Sequence, residues 1–190
     1  MQEELANLIK RYTQDTPIDF PTYLQQRRRY VADYPLPLRN EIQNGYVVLA
    51  DGEMLERMLY AQSFRQLGYQ TFIIEKPRPD YDFGRIAVAP LKNDLEALLW
   101  MQTGYDFDEM QPAELVKTLA SWRDYCNFKL IGVGLSWVEI DFESLPNNLE
   151  AFANIIIEFC PDVLGGRVRN EYDLAEQLQN ERCIILRFRG

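Results

Sequence analysis

Three groups of residues have the types and spacing to do chemistry. The first is Phe159-Cys160-Pro161-Asp162. A reactive cysteine needs its pKa lowered by a cation, a metal or a helix N-terminus. Cys160 is expected instead at a helix C-terminus, where the dipole opposes a thiolate. The chain contains no histidine, which removes Cys–His and Ser–His machinery. The reading preferred here is structural: Cys160 packs inside, Pro161 stops the helix, and Asp162 bonds amides in the following turn.

The second group is acidic. Glu139, Asp141 and Glu143 share one face of an expected strand at period two. Asp106, Asp108 and Glu109 share one loop, and Asp80 and Asp82 another. Converging carboxylates bind divalent cations or act as acid and base. No EF-hand spacing is present, and alternating acids on a strand usually face solvent, so no metal site is assigned. Glu139 and Asp141 stay as catalytic candidates beside Cys160 and Asp162.

The third group is aromatic. Tyr81, Phe83, Tyr105 and Phe107 fall in the two loops flanking an expected strand at 85–90. Such side chains are favoured in interfaces and pockets, and equally serve as loop anchors. Gly132, Gly134, Gly165 and Gly166 form neither a dinucleotide nor a phosphate loop, and no cofactor is expected. The two strand glycines are read as room for a helix or loop to approach.

The elements that must position these residues follow from periodicity. Leu5, Leu8, Ile9 and Tyr12 mark an amphipathic helix, and a second runs from near Asp19 to Asp33, ahead of Pro35 and Pro37. Residues 46–50 form a strand, Asp51 caps a helix ending at Gly68, and 69–75 form a strand, giving a β-α-β unit. After the loop Lys76–Gly84 come a strand at 85–90, a helix opened by Asn93 and Glu96, and a helix from Pro112. Strands at 129–134 and 137–143 lead to a helix opened by Asn147 and Glu150. Its Ile155 and Ile157 widen the apolar surface, so it is expected to be deeply buried. Pro161 ends it, Asn170 caps a last helix, and 183–188 form the final strand.

The fold class is therefore α/β (α+β), with a mixed sheet and a ferredoxin-like β-αα-ββ-αα-β core over 85–190. The whole of 1–190 is expected as a single domain, with a helical extension at 1–40 and the β-α-β unit with its loop at 41–84. A chain of 190 residues with 47% hydrophobic content builds its core without staples.

Net charge is −9 with a pI near 4.6, which argues against nucleic acid and anionic membranes as partners. The basic run Arg27–Arg29 and the late arginines 167, 169, 182, 187 and 189 read as solvated faces. No run approaches a membrane span, and residues 1–10 lack the apolar core of a secretory leader. Cys126, Cys160 and Cys183 form no CxxC pair, which suggests buried free thiols in a reducing cytoplasm.

Several pieces then fall in a familiar order. They are Ala87-Val88-Ala89-Pro90, Trp100 through Gly104-Tyr105, Ser121-Trp122-Arg123-Asp124-Tyr125 leading to Lys129-Leu130-Ile131-Gly132-Val133, the Pro146 helix start, and Phe159-Cys160-Pro161-Asp162-Val163. Residues 86–188 thereby resemble the bacterial family called domain of unknown function 4253. The chain departs from the family at Leu164-Gly165-Gly166-Arg167, where an acidic-Gln-Gly turn is usual. It departs again at Leu186-Arg187-Phe188-Arg189, where a Trp-Trp-Asp strand is usual. The resemblance implies a shared fold and a bacterial origin, and no activity.

The expected role is a non-catalytic interaction module with a protein partner, of inhibitor or immunity type, contacting through the Tyr81 and Tyr105 loops. Two alternatives stay open. One is a carboxylate-based enzyme or metal-dependent protein using Asp162 with the 139–143 acids. The other is a small-ligand sensor.

Overall fold

The structure, a computed structural model, describes residues 2–28, 44–104 and 111–188. Tyr105, Asp106, Phe107, Asp108 and Glu109 lie outside the described residues, as do Arg29, Pro35, Pro37 and Arg189. The chain is of α/β class and divides into two compact units, Met1–Asn93 and Asp94–Gly190.

In the first unit, α1 (Glu3–Ile9) buries Leu5, Leu8 and Ile9, the stripe its spacing requires. A two-residue strand β1 (Ile18–Asp19) precedes α2 (Phe20–Arg28). Asp19 caps α2 by accepting from the Thr22 amide at 2.9 Å and its hydroxyl at 2.7 Å, and these bonds lower its carboxyl pKa. Asp51 accepts from the Met54 amide at 2.8 Å, so β2 (Tyr46–Asp51) runs directly into α3 (Gly52–Tyr60). The helix expected as one piece breaks at Ala61, whose backbone is extended, and resumes as α4 (Gln62–Gln66). Gly68 closes it with φ +81°, the left-handed conformation that favours glycine.

Strands β3 (Gln70–Glu75) and β4 (Phe83–Ala89) are joined through a turn in which the Arg78 and Tyr81 backbones exchange two 3.0 Å bonds. The strand order is β1-β2-β4-β3, with every neighbour antiparallel. β2 and β3 therefore run parallel with β4 between them. The expected β-α-β unit is present, split by the strand that follows it. Gly84 is required at this crossing, since a Cβ there would lie 2.6 Å from the Glu75 carbonyl.

The second unit begins with α5 (Glu96–Met101) and α6 (Pro112–Trp122), with Pro112 in the first turn. The N-cap position of α5 is Leu95, two residues beyond Asn93. Asp94 accepts from the Leu130 amide at 2.8 Å and from Arg123 at 2.6 Å. Strands β5 (Phe128–Val133), β6 (Trp137–Phe142) and β7 (Cys183–Arg187) form an antiparallel meander. Between β6 and β7 lie α7 (Leu149–Phe159), capped by Asn148, a 3-10 turn (Pro161–Val163), and α8 (Glu171–Glu181), capped by Asn170.

One face of the meander carries Leu130, Val138, Ile140, Phe142, Ile184 and Leu186, all buried. Phe142 meets Phe152 edge-on, and Trp122 packs edge-on against Phe152 and Phe159. α7 buries only Phe152, Ala153 and Ile156. Ile155 and Ile157 are half-buried, so this helix lies against the sheet along one stripe and is not enclosed.

The ferredoxin-like strand order is not what forms. That plan places the strand at 85–90 between those at 137–143 and 183–188. Both edges of β4 are instead taken by β2 and β3, and both edges of β6 by β5 and β7. β5 and β6 are joined by a tight turn in which the Gly134 amide bonds the Trp137 carbonyl at 2.8 Å. β7 then returns beside β6 and leaves no slot.

Candidate functional site

The second face of the meander carries the polar alternates. In register, Lys129, Asp141 and Cys183 form one row, and Glu139 and Ile185 the next. Antiparallel partners point the same way, so these side chains share one side of the sheet. Trp137 lies across this side, and a Cβ at Gly132 or Gly134 would collide with its indole ring. The two glycines thus make room for a side chain of their own hairpin, not for a helix or loop.

Glu139 was expected on a wet face. It is only 8% exposed, and the Cys183 thiol donates to its Oε1 at 3.6 Å. Asp141 on the same face is half-buried, and Glu143 beyond it is exposed.

The free edge of β7 gives the site its shape. Phe142 donates its amide to the Arg182 carbonyl at 2.7 Å, and Phe188 donates to Ser136 at 2.8 Å. Even-numbered residues of β7 therefore face β6, while Cys183, Ile185 and Arg187 direct their amides and carbonyls away from it. Among the described residues β7 pairs with no second strand. Along this edge runs an open groove of about 590 Å³. The 3-10 turn and its continuation supply Asp162, Val163 and Leu164, α8 supplies Gln177 and Glu181, and the sheet supplies Glu139, Ile185 and Arg187.

Glu139 and Asp162, singled out from sequence, thus line one groove. Asp141 does not line it. Cys160 is buried behind it: its thiol donates to the Arg187 carbonyl at 3.3 Å. Burial raises the Cys160 pKa first, and the Asp162 charge adds to that, while amides of Asp162 and Val163 near the sulfur oppose it. The thiol thereby pins the turn to the strand. Tyr81 and Phe83 belong to the first unit, 52% and 42% exposed, with ring centroids 5.4 Å apart.

Glu181, Leu164 and the edge position of Cys183 escaped the sequence reading. Period two in Cys183, Ile185 and Arg187 was the available signal. Cys183 is half-exposed, a correction to the expectation of three buried thiols. The late arginines are dispersed: Arg169 pairs with Asp173 at 2.9 Å, Arg182 reaches the Glu143 carbonyl at 3.4 Å, and Arg187 lines the groove. Among the described residues no three Cys, Asp or Glu side chains are grouped to hold a metal ion, and no helix is long and apolar enough to cross a membrane.

The thiols give a direct check. A disulfide-exchange reagent at mildly alkaline pH should react rapidly with Cys183 alone, and with Cys126 and Cys160 only on unfolding; rapid loss of all three would contradict these burials. Burial pushes the Cys126 thiol from 9.0 up to about 11. The native state then keeps a proton that the unfolded chain has lost. This contribution to stability is full below pH 9 and disappears as pH rises through about 11. Urea midpoints across that window should fall less steeply for Cys126→Ala than for the parent chain.

Residues 85–187, a little over half the chain, match a family model whose description is Domain of unknown function (DUF4253). No curated protein and no solved structure matches. The matched segment opens within β4 and runs through the whole meander to the last residue of β7.

Proposed function

Since the chain belongs to the family described as Domain of unknown function (DUF4253), a membership that names no reaction, we propose that it is a non-catalytic, cytoplasmic interaction module that receives a cationic protein partner in the groove along β7. The observation that carries this reading is the lining of that groove. Three acids, Glu139, Asp162 and Glu181, and one arginine, Arg187, line it beside apolar Val163, Leu164 and Ile185. Opposite charge steers encounter, and the apolar wall supplies burial. The net charge of −9 adds a long-range field of the same sign. It also favours a role of inhibitor or immunity type, covering a basic surface. Three free thiols suit a reducing compartment.

The test is a peptide of alternating lysine and valine, with the glutamate–valine peptide as its counterpart, titrated by fluorescence anisotropy. The lysine peptide should bind and weaken with salt, and the glutamate peptide should not bind. A Glu139→Gln, Asp162→Asn, Glu181→Gln chain should lose binding. A control with Glu3→Gln, Glu4→Gln and Glu53→Gln, all exposed and none of them lining the groove, should retain it. Equal loss in both variants would reduce the effect to net charge and overturn the reading.

A second reading draws on the same lining. Glu139 and Asp162 sit on one groove, as an acid–base pair requires. The groove is drawn out along a strand edge beside apolar residues, and this shape favours an extended polymer over a small substrate.

A further inference from the structure

Resting on the cationic-partner reading, we infer that the partner docks as an added β-strand, with its backbone hydrogen-bonded to the free edge of β7. The phase of the β6–β7 ladder aims the Ile185 amide and carbonyl away from β6, and the groove follows that edge. An extended segment laid there satisfies two obligatory backbone groups and reads side chains on alternate sides. The residue opposite Ile185 joins the row that contains Glu139. Its neighbours point to the other side, where α8 presents Gln177 and Glu181.

The edge is prepared for such a guest at one end and closed at the other. The Arg187 carbonyl, also on the free edge, is already occupied by the Cys160 thiol, and the 3-10 turn packs against β7. Pairing therefore centres on Ile185 and stops short of Arg187. The guanidinium of Arg187 at that closed end repels a basic side chain, while Glu139 lies in register with Ile185 on the open part. A second copy of this chain suits the edge poorly, because pairing β7 with β7 would bring two sets of Glu139, Asp162 and Glu181 together.

Amide hydrogen exchange at Ile185, read residue by residue on the full chain with and without saturating lysine–valine peptide, tests this. Ile185 should exchange rapidly in the free chain and at least about tenfold more slowly in the complex. Ile184, already bonded within the ladder, should change little. An Ile185→Pro chain keeps its bonds to β6, since proline removes only an edge-facing donor, and should bind the peptide at least about tenfold more weakly. Bound peptide with Ile185 exchange unchanged would overturn the added strand and leave the acidic groove standing. Absence of peptide binding would overturn both. Protection of Ile185 without peptide, rising with protein concentration, would assign the edge to a second copy and overturn the proposal.

Discussion

Replacement of Trp122 by alanine is expected to lower the stability of the second unit by about 3–5 kcal/mol. Trp122 is 1% exposed at the end of α6. Its ring meets Phe152 at 5.4 Å and Phe159 at 5.6 Å, both edge-on, and Phe152 meets Phe142 of β6 in the same way. The indole therefore joins α6, α7 and the sheet through one aromatic chain. Deleting it removes buried area and the edge-to-face contacts together, and close-packed rings around it do not collapse to fill the space. Domains commonly hold only about 5–15 kcal/mol in reserve, so this change should move the guanidinium midpoint of the second unit markedly. Trp122→Phe should recover part of the loss. A shift worth less than about 1 kcal/mol would mean that the cluster is not a keystone.

Asp94→Ala should cost about 2–4 kcal/mol, the second large effect. The carboxylate accepts from the Leu130 amide in β5 and from the Arg123 guanidinium after α6. Arg123 also lies over the Phe128 ring, 4.9 Å from its centroid. Alanine leaves a strand amide without its acceptor and a cation without its partner, and the loss of a partner costs more than the bond itself contributes. Asp94→Asn retains an acceptor for the amide and should lie between. The Arg123→Ala, Asp94→Ala double mutant should show coupling, because the two share one ion pair. Additive losses in urea would show that Asp94 acts through Leu130 alone.

Much of the local structure was legible, because caps and stripes are written within a few residues. Asp51 and Asn170 announce their helices, Gly68 closes one, and the alternation of Val138, Ile140 and Phe142 marks the buried face of β6. Strand order was not legible. Periodicity says which side of a strand is apolar, not which strand lies beside it, and β4 pairs with β2 across α3, α4 and β3. The break at Ala61 has no glycine or proline to signal it. β1 is two residues long and exists only through its pairing with β2. At the site, Glu139 and Asp162 stood out as carboxylates, yet their shared groove depends on how the turn after α7 folds against β7. Glu181 sits on that wall because α8 ends there, a fact no spacing records. Glu139 is buried on the side of the sheet where Trp137 packs over Gly132 and Gly134, against the rule that strand acids alternate into water.

The split unit at the start of the chain bears on how the protein is made. β2 and β3 are complete by Glu75, but they cannot hydrogen-bond to each other, because the slot between them belongs to β4. A ribosome releases the chain from its N-terminus, so both strands emerge before the strand that joins them. Until Ala89 has left the ribosome, the inner edges of β2 and β3 wait open. Closure then comes by a short step, as β4 folds back through the Arg78–Tyr81 turn and enters the slot. A translational pause before Phe83 would hold the nascent chain in its open form, and one well beyond Ala89 would find the four strands already joined.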